Sequence, residues 1–479
     1  MSIKRSLAWM GIAQAATFLF QFGSSVVLAR YLTPQEMGVF AIGLAMVGML
    51  AVLQNFGLQP LIVREETLTR PMEATTFTAN TIICIVQTIA TFLFAFVAAS
   101  FLRNEGVKHI LVVLSVVPLF GILSFMPGAK LERNGRFKEI ALIGAVTSLI
   151  GSSATIIFAV LGFKYMSLAY GQVISAITLS ASFIIVGRRY WFASFGLSEW
   201  KYIFGFGVQM FSYSGIVNLS QRFCEIMLGR ILGLSALGLY NRASGINNMI
   251  WGNIHYLASR VMLVDFANHH RSGIPIGDRY IQTVAVITAT LWPAFAGLAI
   301  LAHPFIVIVY GAKWAAAAVP LVYLTLSSII LVAMTMSWEL FTVTGNVGTQ
   351  TRLEAVRTIV SVLLFVGACF ISIEAVAFTR IIDAAFIFVL YRPYLNKMTG
   401  TSFRGMAKTY LQSTLLTLAA ILPVAILMLT AKGAQPSLLM LLCAITSGIL
   451  LWGVSLFIVH HPLTDEIRAI RTRVLTKPS

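Results

Sequence analysis

The sequence VLARYLTPQEMGVF, from Val27 to Phe40, returns in altered form as MLGRILGLSALGLY, from Met227 to Tyr240, at an offset of 200 residues. An arginine, a glycine and two leucines keep their register in both copies, as the pairs Arg30 and Arg230, Gly38 and Gly238, Leu28 and Leu228, and Leu32 and Leu232. Apolar helices resemble each other by composition, but a charged residue and a glycine in register are harder to obtain that way. The chain therefore reads as an internal duplication.

The composition is that of a polytopic membrane protein. Of 479 residues, 58% are hydrophobic and 11% are charged, and the mean hydropathy is +0.87, which no water-soluble fold of this size accommodates on its surface. Lys4 and Arg5 precede an apolar run without a convincing cleavage site, so we expect a retained first span. The four cysteines form no CxxC pair, and the histidine pairs at 269–270 and 460–461 lack zinc-motif spacing. We therefore predict no metal site and expect these histidines to be solvated.

Apolar segments of membrane-spanning length recur about fourteen times. Six fall in residues 1–190, six in residues 200–392, and two in residues 409–460, before a basic tail at 461–479. A cytoplasmic N-terminus places about 24 of the 34 Lys and Arg residues in even-numbered loops and tails, which accounts for the net charge of +17 without nucleic acid. The sequence predicts an all-α fold of two parallel six-helix bundles around a central cavity. They are related by a pseudo-two-fold axis, with two extra C-terminal helices and both termini cytoplasmic.

Polar residues at membrane depth mark the candidate site in the seventh span. Each charge costs about 3 kcal/mol or more there unless it faces protein or a wet cavity. Arg222 and Glu225 lie three residues apart on neighbouring parts of one helical face, where a structural ion pair that locks the helix is the alternative to a role facing a cavity. Gln221 shares their depth and matches Gln21 of the first span at the same offset of 200 residues. We therefore expect the first and seventh spans to line the space between the bundles.

Other charged residues leave structural and functional interpretations open. Arg380 and Asp383 are also three residues apart, in the twelfth span, and a structural ion pair explains them as well as a binding role. Arg30 and Arg230 lie near span ends, where anchoring at lipid headgroups is an alternative. We expect Glu339 to be interfacial, because it follows Trp338 near the end of the tenth span.

Motifs of the common membrane and soluble enzymes do not occur in the sequence. It contains no GxxxxGK[ST] phosphate loop, no HExxH and no GxSxG. The loops leave no room for an extramembrane catalytic domain. We therefore predict a protein that is not an enzyme and that needs no cofactor.

Four segments carry a resemblance to a known family: LARYLTPQEMGVF, its echo LGRILGLSALGLY, the basic loop LERNGRFKEIA at residues 131–141, and YGAKWAAAAVPL at residues 310–321. They resemble the polysaccharide transporters of the Wzx type, within the multidrug/oligosaccharidyl-lipid/polysaccharide flippase superfamily. The resemblance implies two six-helix bundles in a V around a cationic cavity. It also implies translocation of undecaprenyl-diphosphate-linked oligosaccharide across the bacterial inner membrane, with the polysaccharide polymerase and export machinery as candidate partners.

The resemblance also suggests roles for the polar residues. An arginine-bearing wet cavity replaces the hydration of a diphosphate headgroup while the polyprenyl tail stays in lipid. The residues expected to contact the diphosphate or sugar are Arg222, Arg230, Arg30, Arg380, Gln21 and Gln221. Glu225 or Asp383 is expected to position an arginine or to couple transport to an ion. The family often has an acidic residue one position earlier in the seventh span, where this chain has Cys224, so the sequence departs from the family pattern beside Glu225.

Three alternatives remain at the level of sequence. A multidrug or metabolite antiporter of the related family predicts an acidic cavity and normally twelve spans. A membrane-embedded polysaccharide polymerase or ligase predicts a large periplasmic loop, and a scaffold of the assembly complex leaves the duplication and the buried charges unexplained.

Overall fold

The computed structural model describes residues 3–191, 193–431, 436–459 and 461–464, so the predicted basic tail from residue 465 onward lies outside the described residues. Over the described residues the chain forms α-helices joined by turns and short 3-10 segments, without β-strands. Nine helical stretches in this part are long and apolar enough to cross a membrane. The predicted all-α, polytopic class is confirmed.

Helix contacts divide the chain into two compact units, residues 1–241 and 242–479. The helices of the first unit are α1 (Ile3–Tyr31), α2 (Pro34–Ala51), α3 (Leu58–Arg64), α4 (Arg70–Leu102), α5 (Glu105–Leu114), α6 (Val117–Arg133), α7 (Phe137–Val160), α8 (Met166–Val186) and α9 (Trp200–Ile231). Helix α10 (Leu234–Arg271) begins in the first unit and continues into the second. The sequence repeat predicts a boundary between the two bundles near residue 200. In the structure, α9 lies after that position but packs against α2 and belongs to the first unit.

The second unit contains the remaining helices. They are α11 (Gly277–Tyr310), α12 (Ala318–Val332), α13 (Ser337–Val343), α14 (Val347–Cys369), α15 (Ile373–Thr399), α16 (Phe403–Thr430) and α17 (Leu438–Ile458). Helices α14 and α15 are not among the nine apolar stretches, and α15 carries Arg380 and Asp383. Their charged residues make these two helices less apolar than the nine stretches.

The first repeated segment forms a sharp joint between α1 and α2. Thr33 is the N-cap of α2: its hydroxyl accepts from the Glu36 backbone N–H at 3.2 Å, and the Glu36 carboxylate accepts from the Thr33 N–H at 2.8 Å. This capping box satisfies two of the donors that a helix start leaves unpaired. Pro34 occupies the first helical position, where its missing N–H costs nothing. The letters TPQE therefore fix where α2 begins.

The two repeated segments pack directly onto each other. A Cβ added to Gly38 would lie 1.7 Å from the carbonyl oxygen of Leu234, and one added to Gly238 would lie 1.9 Å from that of Pro34. The contact is reciprocal, since Leu234 and Gly238 follow Pro34 and Gly38 at the repeat offset of 200 residues. Only glycine leaves room for the backbones to approach this closely. The glycine kept in both copies is therefore explained by the contact between the copies.

The tenth predicted span is interrupted. Helix α12 ends at Val332, and α13 begins after Met336, whose φ of 62° lies in the left-handed region. Two carbonyls at the end of α12 are satisfied by side chains: Trp292 Nε1 donates to the Ile329 carbonyl at 2.9 Å, and the Tyr410 hydroxyl to that of Ala333 at 2.7 Å. Side chains from α11 and α16 thus replace the backbone bonds that the break removes.

Candidate functional site

The pair predicted in the seventh span forms on α9. Arg222 Nη1 donates to Glu225 Oε2 at 2.9 Å, across the spacing of three residues that brings side chains together on a helix. The Arg222 side chain is 32% exposed and that of Glu225 is 14% exposed. Glu225 therefore orients the guanidinium through a charge-assisted hydrogen bond, and Arg222 retains exposed donors for an anionic ligand.

The other predicted site residues of the first unit are exposed. The side chains of Gln21, Gln221, Arg30 and Arg230 all lie at the surface of the protein. Arg230 stacks its guanidinium over the ring of Phe101 on α4, at 5.3 Å from the ring centre. It follows Arg222 by eight residues on α9, a rise of about 12 Å. Arg230 is thus held by an aromatic ring near the helix end, away from the Arg222–Glu225 pair.

The second predicted pair forms in the second unit with an additional partner. Arg380 and Asp383 on α15 form an ion pair at 3.5 Å. Ser361 on α14 bridges them, because its hydroxyl accepts from Arg380 at 3.0 Å and donates to Asp383 at 3.2 Å. Arg380 also stacks over Phe365, at 4.5 Å from the ring centre. Asp383 is 6% exposed, so this pair is more enclosed than the pair on α9.

The basic loop LERNGRFKEIA connects two parts of the first unit. Arg133 donates to three backbone carbonyls at and beyond the end of α3: to Ile62 at 2.6 Å, to Glu65, and to Glu66 at 2.9 Å. Lys130, the residue just before this segment, forms an ion pair with Glu73 on α4 at 2.7 Å. A cation at the carboxyl end of a helix satisfies its unpaired carbonyls and its dipole. This signature therefore has a structural role that its positive charge alone does not reveal.

The segment YGAKWAAAAVPL encloses an arginine in the second unit. Arg242, which is 7% exposed, lies over the rings of Tyr310 and Trp314, each at 4.7 Å from the guanidinium. Both aromatic side chains are fully buried. The two rings give the buried cation a favourable environment within the protein. Tyr310 and Trp314 of this segment thus pack the turn after α11 against α10.

Comparison with known proteins identifies the family. The family model described as "Polysaccharide biosynthesis protein" matches residues 27–319. The chain belongs to this family. The predicted resemblance to Wzx-type transporters of the flippase superfamily is confirmed by that match together with the similar proteins described next.

Curated relatives of this polysaccharide biosynthesis protein are named for transport and biosynthesis of polysaccharides. The chain is 26% identical over 341 residues to the succinoglycan biosynthesis transport protein ExoT of Rhizobium meliloti, a match covering 69% of this chain and 67% of ExoT. It is 22% identical over 308 residues to the lipopolysaccharide biosynthesis protein WzxC of Escherichia coli, covering 64% and 63%. The teichuronic acid biosynthesis protein TuaB of Bacillus subtilis is 22% identical over 339 residues, covering 68% of each. The matches thus span about two thirds of the length of each relative.

Solved structures of low sequence identity share the fold. The lipid II flippase MurJ in an inward closed conformation gives a TM-score of 0.78 at 16% identity, over 96% of this chain and 99% of MurJ. An inward-facing multidrug resistance transporter of the MATE family gives 0.58 at 13% identity, over 82% and 99%. This polysaccharide biosynthesis protein therefore has the fold of that superfamily, and its substrate must be argued from its own residues.

Two predictions about single residues were wrong. Glu339, expected at the interface, is 1% exposed, and its carboxylate accepts from Ser259 on α10. Its second oxygen, Oε2, has no hydrogen-bond partner among the described residues. His461, expected in solvent, is fully buried, and burial lowers its pKa to about 4. His460 lies outside the described residues.

Proposed function

We propose that this protein translocates polyprenyl-diphosphate-linked oligosaccharides across the bacterial inner membrane, for assembly of surface polysaccharide, O-antigen or exopolysaccharide. The observation that carries the proposal is the partly exposed Arg222 guanidinium, held by Glu225 within a predicted membrane span. A phosphate headgroup cannot cross hydrocarbon unaided, and arginine supplies the planar set of donors that phosphate oxygens accept.

The proposal includes the finer topology predicted from the sequence. About fourteen spans form two parallel six-helix bundles around a central cavity, with two further helices and cytoplasmic termini. The headgroup enters the cavity from the cytoplasmic side while the lipid tail remains in the bilayer. Rocking of the bundles then exposes the headgroup to the periplasm. Neither an enzymatic step nor a cofactor is required.

Each predicted polar residue has a place in this proposal. Arg222 binds the diphosphate, and Glu225 orients it, as the 2.9 Å bond between them supports. The exposed Arg30, Arg230, Gln21 and Gln221 contact the headgroup or sugar on its path. In the second unit, Arg380 with Asp383 is a second anion contact, or a site at which the buried Asp383 carboxylate couples transport to an ion.

A cell-based experiment tests the proposal. We would delete the gene and measure lipid-linked oligosaccharide with a periplasm-restricted sugar label beside a total extract. We expect accumulation on the cytoplasmic face and loss of surface polysaccharide. Unpolymerised repeats on the periplasmic face would instead indicate a polymerase or ligase. Unchanged lipid-linked sugar with increased sensitivity to toxic compounds would instead indicate a multidrug or metabolite antiporter, the alternative that the sequence leaves open.

Complementation with two arginine variants tests the site. Removing a charged hydrogen-bond partner costs about 1.5–3 kcal/mol, so Arg222→Gln should reduce the rate of flipping by roughly 10- to 100-fold. Arg404→Gln is the matched control, because Arg404 is exposed in the first turn of α16. Equal export by the Arg222→Gln and Arg404→Gln strains, at equal protein levels, would remove Arg222 from the proposal.

A further inference from the structure

Helix α2 carries three glycines, and each meets a different neighbour within the first unit. An added Cβ would meet the Leu234 backbone at Gly38, the Ile110 side chain at Gly43, and the Arg222 side chain at Gly48. The last of these contacts lies at the candidate site. The Cβ at Gly48 would be 2.7 Å from Arg222 Nε, 3.0 Å from Cδ and 3.4 Å from Cγ. Any side chain at position 48 would therefore occupy the space of the Arg222 stem and the inner guanidinium nitrogen.

Two contacts consequently fix Arg222 from opposite ends. The surface of α2 at Gly48 lies against the stem and Nε, while Glu225 accepts from Nη1 at 2.9 Å. A long side chain held in this way loses less conformational freedom when it binds a ligand. It also presents its remaining donors in one direction, as binding to a planar set of oxygens requires.

We propose that Gly48 is a positioning residue for anion binding, and that its lack of a side chain places Arg222 where it binds the diphosphate headgroup. This inference rests on the function proposed above and adds to it a requirement on α2. Because Arg222 is a flexible side chain, a methyl group at position 48 displaces the guanidinium and leaves the helix packing in place. The expected loss is therefore in binding, with little change in stability.

Equilibrium binding of undecaprenyl diphosphate to the purified full-length protein in detergent tests the inference. Arg222→Gln should weaken binding roughly 10- to 100-fold, and Gly48→Ala should weaken it by a similar factor. Gly43→Ala is the matched control on the same helix, because its Cβ would meet Ile110 Cγ2 at 2.6 Å, as close as the contact at Gly48 but away from Arg222. We expect it to bind within about twofold of wild type, a change below about 0.5 kcal/mol.

A double variant shows whether Gly48 acts through Arg222. The variant with both Gly48→Ala and Arg222→Gln should bind no more weakly than Arg222→Gln alone, since the second change removes what the first displaces. Additive losses would place the effect of Gly48 elsewhere and overturn the inference. Wild-type binding by Gly48→Ala, with weak binding by Arg222→Gln, would overturn it and leave the proposed function intact. Wild-type binding by Arg222→Gln would remove both.

Thermal melting distinguishes displacement from misfolding. If Gly48→Ala lowers the melting temperature, adding Arg222→Ala should restore it, because truncation clears the atoms that the new methyl group meets. Failure of this rescue would mean that position 48 acts on the fold and would overturn the positioning role.

Discussion

The reciprocal contact between the repeated segments makes a strong prediction about stability. In Gly38→Ala the new Cβ would lie 1.7 Å from the Leu234 oxygen and 2.5 Å from its carbonyl carbon. Non-bonded heavy atoms settle at about 3.5 Å, so the two backbones must separate by about 1.5–2 Å. Overpacking costs about 1–3 kcal/mol, and a rigid backbone partner favours the upper end. Alanine recovers about 0.5–1 kcal/mol of helix propensity, which leaves a net loss of about 2 kcal/mol.

The assay is unfolding of the purified protein, monitored by heat or denaturant. For a cooperative unit of about 240 residues, the loss corresponds to a fall in melting temperature of roughly 4–8 °C. Gly144→Ala is the control, because nothing lies within 4 Å of a Cβ at that helical position. The control should be neutral or slightly stabilising. A Gly38→Ala protein as stable as this control would refute the close approach of the repeated segments.

The opposite side of the contact gives a second, independent measurement. Gly238→Ala should cost about as much as Gly38→Ala, since its Cβ would lie 1.9 Å from the Pro34 oxygen. Both substitutions force the same backbones apart. The double variant should therefore lose clearly less than the sum of the two single losses, with a coupling of about 1 kcal/mol or more. Strict additivity would show that the glycines relieve two separate clashes.

Three further predictions concern single side chains. Arg133→Lys should destabilise the first unit by about 2 kcal/mol and speed proteolysis between α3 and α4. The reason is that an ammonium group cannot reproduce the guanidinium hydrogen bonds to three carbonyls. An unchanged rate of proteolysis would contradict this prediction. The unfolded state binds a proton at His461 more tightly than the folded state. The free energy of unfolding should therefore be highest above pH 6.5 and fall by up to about 3 kcal/mol as the pH decreases towards 4. The same pH dependence in His461→Gln would contradict this prediction. Ser361→Ala should lower stability by about 1 kcal/mol, because it removes the hydroxyl between Arg380 and Asp383, and a silent change would show that the direct ion pair suffices.

Hydropathy predicted the all-α, polytopic class because it is a local property of the chain. The turn around Ser372 contains few polar residues, yet it separates α14 from α15. The Ser372 hydroxyl caps α15 by accepting from the Ala375 N–H at 3.1 Å. The pairs of Arg222 with Glu225 and Arg380 with Asp383 were predictable for the same reason. A spacing of three residues on a helix determines proximity without knowledge of the rest of the fold.

Contacts between helices were beyond the reach of the sequence. Ser361 precedes Arg380 by 19 residues and lies on another helix, and Phe101 lies under Arg230 from a segment far earlier in the chain. Glu339 was misjudged because a carboxylate beside a tryptophan near a span end is typical of an interface. The buried Glu339 lies three residues after the helix break at Met336. The left-handed backbone of Met336 is unusual, because Asn, Asp and Gly are the residues that commonly adopt it.

The two repeated segments account for one close contact in the first unit, and the candidate site lies where the sequence departs from the repeat. Gly38 and Gly238 are kept because each copy needs the other to approach closely. At the same offset of 200 residues, however, the partners Arg222 and Gly48 correspond to Phe22 and Asn248. The repeat therefore does not carry the pair of Arg222 and Gly48 into its other copy. A single arginine of this kind is compatible with the proposed function, because a site that binds an anion must also release it when the conformation changes.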